Sequence, residues 1–355
     1  ATMTELEATG GFWARWIIVK GNPKDFFARL RPVLLAKKIA PEVARIQSLQ
    51  TYIADSRPDV ILSALPYANL CAIWAKEISG SRVPVIVSER IALSTHCAAP
   101  SNFRKWKWRY LPELVRRTYP KADRVIAVSD HVADELITTI GLHQDSVTTV
   151  HNPVVDDNLR TRAQQTLEHP WFAQDEPPVI LAAGRFTEQK DFATLIRAFA
   201  AVRADKEARL VILGEGRLRD DLEQLVCTLG IQADVCMPGF VENPFQYMAR
   251  ASVLVLSSAY EGLPGVLIQA LACGCPVIST DCPGGSSEIL EDGKYGALVS
   301  IGKADEMAKA ILVELDDPTP RAILLHRAVD FSVERAVSSY LALLDAVVNQ
   351  AADRT

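Results

Sequence analysis

Short apolar runs without alternating polar residues recur along this chain, separated by stretches with helical periodicity. A strand covered on both faces by crossover helices has this continuous apolar pattern. The pattern therefore predicts an α/β fold built on parallel sheets. The strands predicted in the first half are residues 16–19, 60–64, 83–88 and 124–129.

The same pattern resumes after a polar stretch that ends at residues 175–178. Strands are predicted at residues 179–183, 210–213, 253–257 and 276–280, and helices at 192–203, 218–229 and 333–348. A chain of 355 residues exceeds the size at which one hydrophobic core usually stops growing. We therefore expect a first domain over 1–152, a linker over 153–178, a second domain over 179–330 and a terminal helix over 331–355.

The composition excludes several classes of protein. No run approaches the roughly 18 apolar residues of a membrane span, and the first residues lack the apolar core of a signal peptide. A cytoplasmic location is therefore expected. The seven cysteines include no Cys-x-x-Cys pair, which favours reduced thiols over a disulfide framework or a zinc site.

Charge is distributed unevenly between the two halves. Residues 1–150 hold 20 Lys and Arg against 14 Asp and Glu, whereas the remainder holds 18 against 29. Residues 103–110, Phe-Arg-Lys-Trp-Lys-Trp-Arg-Tyr, interleave cations with aromatic rings, and Arg116, Arg117 and Lys121 follow. Such a segment suits an anionic membrane surface, or it is a solvated helix whose tryptophans face the core. A pI near 5.8 disfavours nucleic-acid binding.

The start of the chain departs from a usual Rossmann-like half, which opens with a strand, a glycine-rich turn and a helix. Here Gly10 and Gly11 precede the first apolar run instead of following it. The first domain is therefore expected to lack its opening strand and glycine-rich loop. The chain is then expected to keep a ligand site whose main contacts lie after Val179, while it completes a reaction poorly.

The densest chemical signal lies in residues 257–274, which are predicted to form a strand end, a loop and a helix. Pro264 suits a first helical turn and Gly274 a helix end. Free N–H groups at the helix N-terminus suit a diphosphate or sugar hydroxyls, and Glu261 adds an acceptor for hydroxyl groups. In the alternative interpretation, Glu261 only complements the helix dipole.

Two further loops follow predicted strands. Residues 184–191 carry Arg185 and Lys190, two cations that suit a diphosphate leaving group, although such a pair alone is more often a solvated loop. Residues 281–288 carry two glycines, which are expected to keep one wall of a cleft low, and Ser286 or Ser287 is expected to cap the next helix.

Together these segments resemble the family-4 retaining glycosyltransferases of the GT-B fold, closely over residues 147–310 and loosely before them. Residues 184–190 look like the donor-phosphate motif of that family, and 213–216 and 238–241 look like its nucleotide-side loops. Residues 258–274 look like its Glu-x7-Glu region, with Gln269 in place of the second glutamate. Residues 279–285 are similar to members that build bacterial surface polysaccharides or lipid-linked oligosaccharides.

The resemblance implies two Rossmann-like domains that face each other across a cleft, and transfer of a hexose or N-acetylhexosamine from a nucleoside-diphosphate sugar, expected to be a UDP-sugar, to a glycan or lipid-linked acceptor. No cofactor is implied, and the sequence has no Asp-x-Asp, so no metal is expected. The implied catalytic residues are Glu261, Arg185 and Lys190. The implied donor-binding residues are Gly184, Arg185, Lys190, Val241, Glu261, Gly262, Leu263, Pro264, Gly265, Val266 and Gln269.

The first half offers His96 and His131 as candidate acceptor-side groups, although a lone histidine more often has a structural role. The resemblance and the basic aromatic segment together imply action at the inner face of the cell membrane. Two other functions stay open. One is a nucleotide-sugar epimerase of the same fold, and the other is a non-catalytic nucleotide-sugar-binding or partner subunit.

Overall fold

The computed structural model describes residues 40–103 and 105–353, so the strand predicted at 16–19, the region before it and Arg104 lie outside the described residues. The chain divides into two compact units. Of the described residues, the first unit comprises those within 40–128, 133–150 and 340–353, and the second comprises Ser129–Val132 and His151–Ser339.

The first unit contains a four-stranded parallel sheet in the order β1-β2-β3-β4. The strands are β1 (Ile61–Ala64), β2 (Val85–Glu89), β3 (Arg124–Ala127) and β4 (Val147–Thr149). The helices are α1 (Ala40–Ser56), α2 (Pro66–Ser79), α3 (Leu93–Ala98), α4 (Pro100–Phe103), α5 (Trp106–Arg109), α6 (Leu111–Thr118) and α7 (Asp130–Thr138).

The second unit contains a six-stranded parallel sheet in the order β10-β9-β8-β5-β6-β7. The strands are β5 (Val179–Ala183), β6 (Arg209–Leu213), β7 (Val235–Gly239), β8 (Val253–Leu256), β9 (Val277–Thr280) and β10 (Ala297–Val299). The helices are α8 (Asp157–Ala163), α9 (Phe192–Asp205), α10 (Arg219–Thr228), α11 (Phe245–Met248), α12 (Gly265–Cys273), α13 (Ser286–Leu290), α14 (Ala304–Asp316), α15 (Arg321–Ala328) and α16 (Val333–Ala352).

The strand order of the second unit contains a topological switch point. The chain builds the sheet outward from β5 through β6 to β7, then returns to pair β8 with β5 and continues to β9 and β10. Ligands of open α/β sheets bind at the carboxyl ends of the strands on either side of such a reversal. The loops after β5 and β8 are therefore the expected place for a ligand in this unit.

Apolar packing fixes both sheets. In the second unit the core is formed by residues of β5, β6, β8 and the helices that cover them, with Phe186, Phe199 and Ile311 fully buried. The second half of α16 packs in the first unit, where Val347 joins a buried cluster with Ile86 and Ile126. The periodicity of this terminal helix does not indicate where it packs.

The predicted fold class is confirmed, because both units are parallel α/β layers. Seven strands were predicted besides 16–19, and the structure contains all seven, with bounds that differ by no more than two residues. The sequence interpretation missed β4, β7 and β10. Within the described residues these are outer strands of their sheets, and their side chains are mostly only partly buried.

Candidate functional site

The loop after β5 is anchored by backbone bonds to the neighbouring strand region. The Gly184 amide donates to the Leu213 carbonyl at 2.9 Å, and the Phe186 amide donates to the Glu215 carbonyl at 2.9 Å. The Phe186 ring is fully buried, which fixes the middle of the loop. Asp191 then accepts a hydrogen bond from the Thr194 amide and starts α9. Arg185 and Lys190 are thus carried by a loop held at both ends.

The loop after β8 is bonded directly to the loop after β5. The Ala259 amide donates to the Gln189 carbonyl at 2.7 Å, and the Gln189 side-chain amide donates to the Tyr260 carbonyl at 2.9 Å. The Ser257 hydroxyl donates to the Lys190 carbonyl at 2.7 Å. The two loops that flank the switch point therefore form one structure.

Lys190 and Glu261 meet at the centre of this structure. The Lys190 Nζ lies 2.6 Å from Glu261 Oε1, and the exposed fractions of the two side chains are 17% and 10%. The Ser258 hydroxyl also donates to Glu261 Oε1, at 2.7 Å. Charges this far removed from water require a partner, so the pair holds both side chains in a defined position.

The N-terminus of α12 (Gly265–Cys273) begins four residues after Glu261 and has no side-chain cap. Pro264 precedes the helix and forms no side-chain cap, and nothing lies within 4 Å of the place where a Cβ on Gly265 would project. The first-turn N–H groups of a helix carry partial positive charge and bind anions. Gly262, Leu263 and Pro264 are buried, whereas Gly265 and Val266 are partly exposed. This end of the helix is open to a ligand.

The loop after β9 is hydrogen-bonded to the loop after β8. The Glu261 amide donates to the Pro283 carbonyl at 2.8 Å, and the Gly285 amide donates to the Gly262 carbonyl at 2.7 Å. Gly284 has a φ of +133°, and a Cβ there would lie 2.6 Å from the Glu261 carbonyl oxygen. Glycine at this position is thus required by the close approach of the two backbones.

The other predicted donor residues lie on the same edge of the sheet without joining the Lys190–Glu261 pair. Arg185 is exposed and has no ion-pair partner among the residues described. Val241, in the loop after β7, and Gln269, on α12, are partly exposed. The structure therefore brings Gly184, Lys190, Glu261 and the α12 N-terminus together directly, and places the remaining residues around them.

Sequence reasoning missed Ser258, whose hydroxyl orients Glu261, and did not anticipate the direct Lys190–Glu261 ion pair. No signal in the sequence indicates the pair, since the partners are 71 residues apart. Ser258 stands in the segment 257–274, where a serine three residues before a glutamate was the available signal.

The predicted acceptor-side histidines occupy different surroundings. The His96 ring packs edge to face on Trp108, with ring centroids 4.6 Å apart, and its Nε2 lies 3.3 Å from the Asn102 side-chain amide. His131 is exposed at the start of α7. Partial burial against an aromatic ring gives His96 a packing role.

Sequence reasoning also missed a buried carboxyl group at the end of β2. Glu89 is fully buried, accepts a hydrogen bond from the Tyr119 hydroxyl at 3.0 Å and another from the Arg90 amide at 3.0 Å. Burial is the main cause that raises the pKa of Glu89 to about 7, and the nearby charge of Glu135 raises it further. The hydrogen bonds from Tyr119 and Arg90 lower the pKa of Glu89 but do not offset the effect of burial.

This raised pKa predicts a pH-dependent stability. Between the ordinary carboxyl pKa of 4.5 and about 7, native Glu89 keeps its proton while the unfolded chain has lost it, so stability falls as pH rises through this window. The loss amounts to roughly 3 kcal/mol. Urea unfolding at pH 5 and pH 8 is expected to show this fall for the wild type and not for Glu89→Gln.

Glu77→Gln is the control, because this exposed glutamate of the same unit forms an ion pair with Lys121. The control is expected to keep the wild-type dependence on pH. An equal dependence on pH in Glu89→Gln and wild type would show that Glu89 is ionised in the native state throughout the window.

Comparison with known proteins identifies the family of this chain. A model described as Glycosyl transferases group 1 matches residues 177–317, and one described as Glycosyltransferase Family 4 matches residues 16–158. An N-acetylgalactosamine-N,N'-diacetylbacillosaminyl-diphospho-undecaprenol 4-alpha-N-acetylgalactosaminyltransferase of Campylobacter jejuni is 30% identical over 266 residues, which are 73% of this chain and 68% of the relative. A lipopolysaccharide core biosynthesis glycosyltransferase of Rhizobium meliloti is 35% identical, over 48% of this chain and 50% of its own length.

Solved structures agree on the fold. A lipopolysaccharide outer core galactosyltransferase matches with a TM-score of 0.68 and 21% identity, over 87% of this chain and 81% of its own. The Anabaena protein HepE in complex with UDP also matches with a TM-score of 0.68 and 21% identity, over 86% of this chain and 84% of its own. Both neighbours are therefore similar in fold to this chain. The chain belongs to the family-4 glycosyltransferases and has the GT-B fold.

Two kinds of feature are absent from the described residues. In residues 40–103 and 105–353, no helix has both the length and the apolar character needed to cross a membrane. The same part of the chain contains no group of three His, Cys, Asp or Glu side chains placed to hold a metal ion.

Proposed function

We propose that this chain is a retaining glycosyltransferase that moves a hexose or N-acetylhexosamine from a UDP-sugar to a glycan or lipid-linked acceptor. The observation that carries the proposal is the Lys190–Glu261 pair, which joins the two loops of the switch point beside the open N-terminus of α12. At this sheet edge, the cation and the backbone donors suit the diphosphate of a nucleoside-diphosphate sugar, and the carboxylate suits its sugar hydroxyls.

Each of these groups has its own role in the proposed reaction. The bond from the anomeric carbon to the diphosphate breaks, the acceptor oxygen bonds to that carbon on the same face, and the acceptor proton leaves with the diphosphate. Lys190, Arg185 and the α12 N-terminus stabilise the negative charge that grows on the leaving group. Glu261, oriented by Ser258, holds sugar hydroxyls, and Gln269 contacts the ribose.

The proposal assigns neutralisation of the diphosphate to these fixed cationic groups, with no metal and no other cofactor. It is supported by the location of Lys190 and Arg185 on a loop anchored to β6. The test is to assay turnover before and after removal of divalent cations by a chelator. Unchanged turnover supports this part of the proposal, and loss of turnover that Mg²⁺ restores contradicts it.

The choice of donor and acceptor is supported by the relatives. HepE, a structural neighbour, was solved in complex with UDP, and the Campylobacter relative is named for an undecaprenol-diphosphate-linked acceptor. Among the relatives is also a lipopolysaccharide core biosynthesis glycosyltransferase. We therefore propose UDP as the leaving group and a bacterial glycan, free or lipid-linked, as the acceptor.

The test of the proposed function is transfer from radiolabelled UDP-sugars to a lipid-linked glycan extract, followed by NMR of the product. Labelled product with the anomeric configuration of the donor supports the proposal. Conversion of the donor to an epimer would favour the epimerase alternative. Binding of the UDP-sugars without turnover would favour a non-catalytic subunit.

We further propose that the protein acts in the cytoplasm at the inner face of the cell membrane, through an exposed surface of the first unit. Phe103, Trp106 and Tyr110 are 56%, 41% and 49% exposed, and Lys105 and Arg109 between them are exposed as well. Amphipathic rings with interspersed cations partition into anionic interfaces. Trp108, in contrast, packs against His96 and Tyr67 and does not belong to this surface.

This surface predicts binding to vesicles that contain anionic lipid. Co-sedimentation with phosphatidylglycerol vesicles is expected to exceed that with phosphatidylcholine vesicles at low salt. Each basic residue near such a membrane contributes about 1 kcal/mol. The double variant Lys105→Gln/Arg109→Gln is therefore expected to lower the partition coefficient by about tenfold or more.

Trp106→Ser is also expected to weaken binding, whereas Ile78→Ser, which removes an exposed apolar side chain elsewhere in the same unit, should not. Equal recovery with both kinds of vesicle would rule out an electrostatic contribution.

Gln269 gives a prediction about donor affinity. A hydrogen bond to a charged partner contributes roughly 1.5 to 3 kcal/mol against about 1 kcal/mol for a neutral one. If Gln269 faces the ribose, Gln269→Glu is expected to tighten UDP binding, measured by titration calorimetry. Gln224→Glu, at an exposed position of α10, is the matched control and should leave the affinity unchanged. Unchanged or weaker binding by Gln269→Glu would place Gln269 away from the ribose.

A further inference from the structure

A pocket in the second unit lies at the C-terminal end of α12. Its volume is about 280 Å³, and it is lined by residues of α8, α12 and α15 and of the segments beside them. Typical pockets for small molecules have roughly 300 to 1,000 Å³, so this one suits a compact metabolite. Its described lining includes no residue of the loops after β5 and β8, which form the candidate donor site. We call it the α12 pocket.

The α12 pocket has an apolar floor and a cationic rim. The buried residues of its lining are Val155, Ala272, Cys273 and Ala328. The exposed polar residues of its lining are Arg160, Gln164 and Arg321. The described lining contains no Asp and no Glu. An anionic group at the rim therefore meets two cations and no carboxylate.

The two arginines of the rim are not engaged elsewhere. Among the described residues, neither Arg160 nor Arg321 forms a hydrogen bond or an ion pair. Arg327, on the same helix as Arg321, differs, because it donates to the Asp330 carboxylate and to two backbone carbonyls. A guanidinium group has five N–H donors, so both rim arginines keep their donors for a ligand.

Arg321 lies against the end of α12. A Cβ on Gly274, the residue that ends this helix, would lie 2.6 Å from Arg321 Cγ and 2.7 Å from its Cζ. Burial raises the pKa of the Cys273 thiol to about 12, and the charge of Arg321 acts against this rise. The Arg321 side chain therefore packs at the pocket, and its charge reaches the floor.

The helix ends at the pocket do not cancel these charges. The last residues of α8 and α12 are Ala163 and Cys273, and a helix C-terminus carries about half a negative charge. Arg250 donates to the Ala163 carbonyl at 3.4 Å and offsets the first of these ends. Two full positive charges at the rim thus exceed the roughly one negative charge of two helix ends, so the α12 pocket is net positive.

The charges and the shape together define the ligand. A guanidinium group binds phosphate and carboxylate oxygens through paired hydrogen bonds. A phosphate monoester carries a charge of about −1.5 to −2 at neutral pH, which matches two arginines better than the single charge of a carboxylate does. The apolar floor suits a short carbon skeleton. A small phosphate monoester satisfies both parts of the pocket.

We propose that the α12 pocket binds a small phosphate monoester, with Arg160 and Arg321 on the phosphate oxygens and the carbon skeleton on the floor. This is a second ligand site of the second unit, at the opposite end of α12 from the loop that carries Glu261. It adds a binding function that neither the donor nor the acceptor of the proposed reaction requires, and its test does not depend on turnover.

The test is titration calorimetry of the full chain with glycerol 3-phosphate, ribose 5-phosphate and glucose 6-phosphate, in roughly 0.15 M salt, which screens distant surface charges. At least one ester is expected to bind both with and without saturating UDP, and glycerol, which lacks the phosphate, should not bind. Arg160→Gln and Arg321→Gln are each expected to weaken ester binding by about tenfold or more, because each removes charged hydrogen bonds. Arg197→Gln, at an exposed position of the same unit, is the control and should keep it.

Ala163→Leu tests the pocket itself, because it fills part of the lined space and keeps both rim arginines. It is expected to weaken ester binding too. Failure of all three esters to bind, or binding that survives both arginine variants or Ala163→Leu, would overturn the inference. Displacement of the ester by UDP would also overturn it, since the ester would then occupy the donor site. Absence of UDP binding would contradict the proposed function alone, because the ester titrations without UDP still decide this inference.

Discussion

Replacing Arg185 or Lys190 by alanine is expected to lower turnover by about 10² to 10³, which is the usual effect of losing one preorganised electrostatic contact to a developing charge. Negative charge grows on the leaving diphosphate as the glycosidic bond breaks, so these cations stabilise the transition state more than the bound donor. Turnover is measured as release of nucleoside diphosphate at saturating donor.

The two substitutions are expected to differ in their effect on stability. Arg185 is exposed and unpaired among the described residues, so Arg185→Ala should change the free energy of unfolding by less than about 0.5 kcal/mol. Lys190→Ala leaves Glu261 largely buried without its cation and should be destabilising. The double variant Lys190→Gln/Glu261→Gln replaces the ion pair by a neutral hydrogen-bonded pair, so it should regain stability and not turnover.

Arg197→Ala is the matched control, since Arg197 is an exposed cation on α9, the helix that follows the same loop. It is expected to change neither turnover nor stability. Near wild-type turnover in both Arg185→Ala and Lys190→Ala would show that the loop after β5 does not hold the diphosphate, and would favour a binding protein without catalysis.

Gly214→Ala is expected to be the most damaging single-methyl change in the second unit. Gly214 has a φ of +132°, and a Cβ there would lie 2.0 Å from the Gly184 carbonyl oxygen. The left-handed backbone alone costs an alanine roughly 1 to 2 kcal/mol, and overpacking adds about 1 to 3 kcal/mol. The variant should also lose UDP binding, because relief of the clash moves the loop that carries Arg185. Thermal unfolding and calorimetry measure the two effects.

Gly230→Ala isolates the backbone contribution. Gly230 also has a positive φ, of +70°, but nothing lies within 4 Å of its Cβ position. This control should lose only the smaller backbone contribution and keep UDP binding. Equal losses of stability in the two variants would mean that Gly184 and Gly214 are not in close contact.

The sequence allowed prediction of the strands that are covered on both faces, and the missed strands follow from the same physics. Strands such as β5, β6 and β8 are nearly fully buried and read as continuous apolar runs. In β7 the residues Cys236 and Met237 are only partly buried and Pro238 is exposed, as suits a strand with one free side. Periodicity gives no sign of such a strand.

The site was predictable as a set of loops, and its internal contacts were not. Predicted strand ends that are followed by glycines and charged residues indicated the segments that contain Lys190 and Glu261. Their ion pair depends on β5 and β8 being adjacent in the sheet, and this adjacency is a property of strand order that no local pattern contains.

The central claim is that the carboxyl edge of the second unit binds a nucleoside-diphosphate sugar for transfer. The most direct measurement is release of nucleoside diphosphate from a panel of uridine, guanosine and adenosine diphosphate sugars by wild type and by Arg185→Ala. The account predicts that the wild type consumes a UDP-sugar and that Arg185→Ala does so about 10² to 10³ times more slowly. Release of no nucleoside diphosphate from any donor, or equal rates for the two proteins, would contradict it.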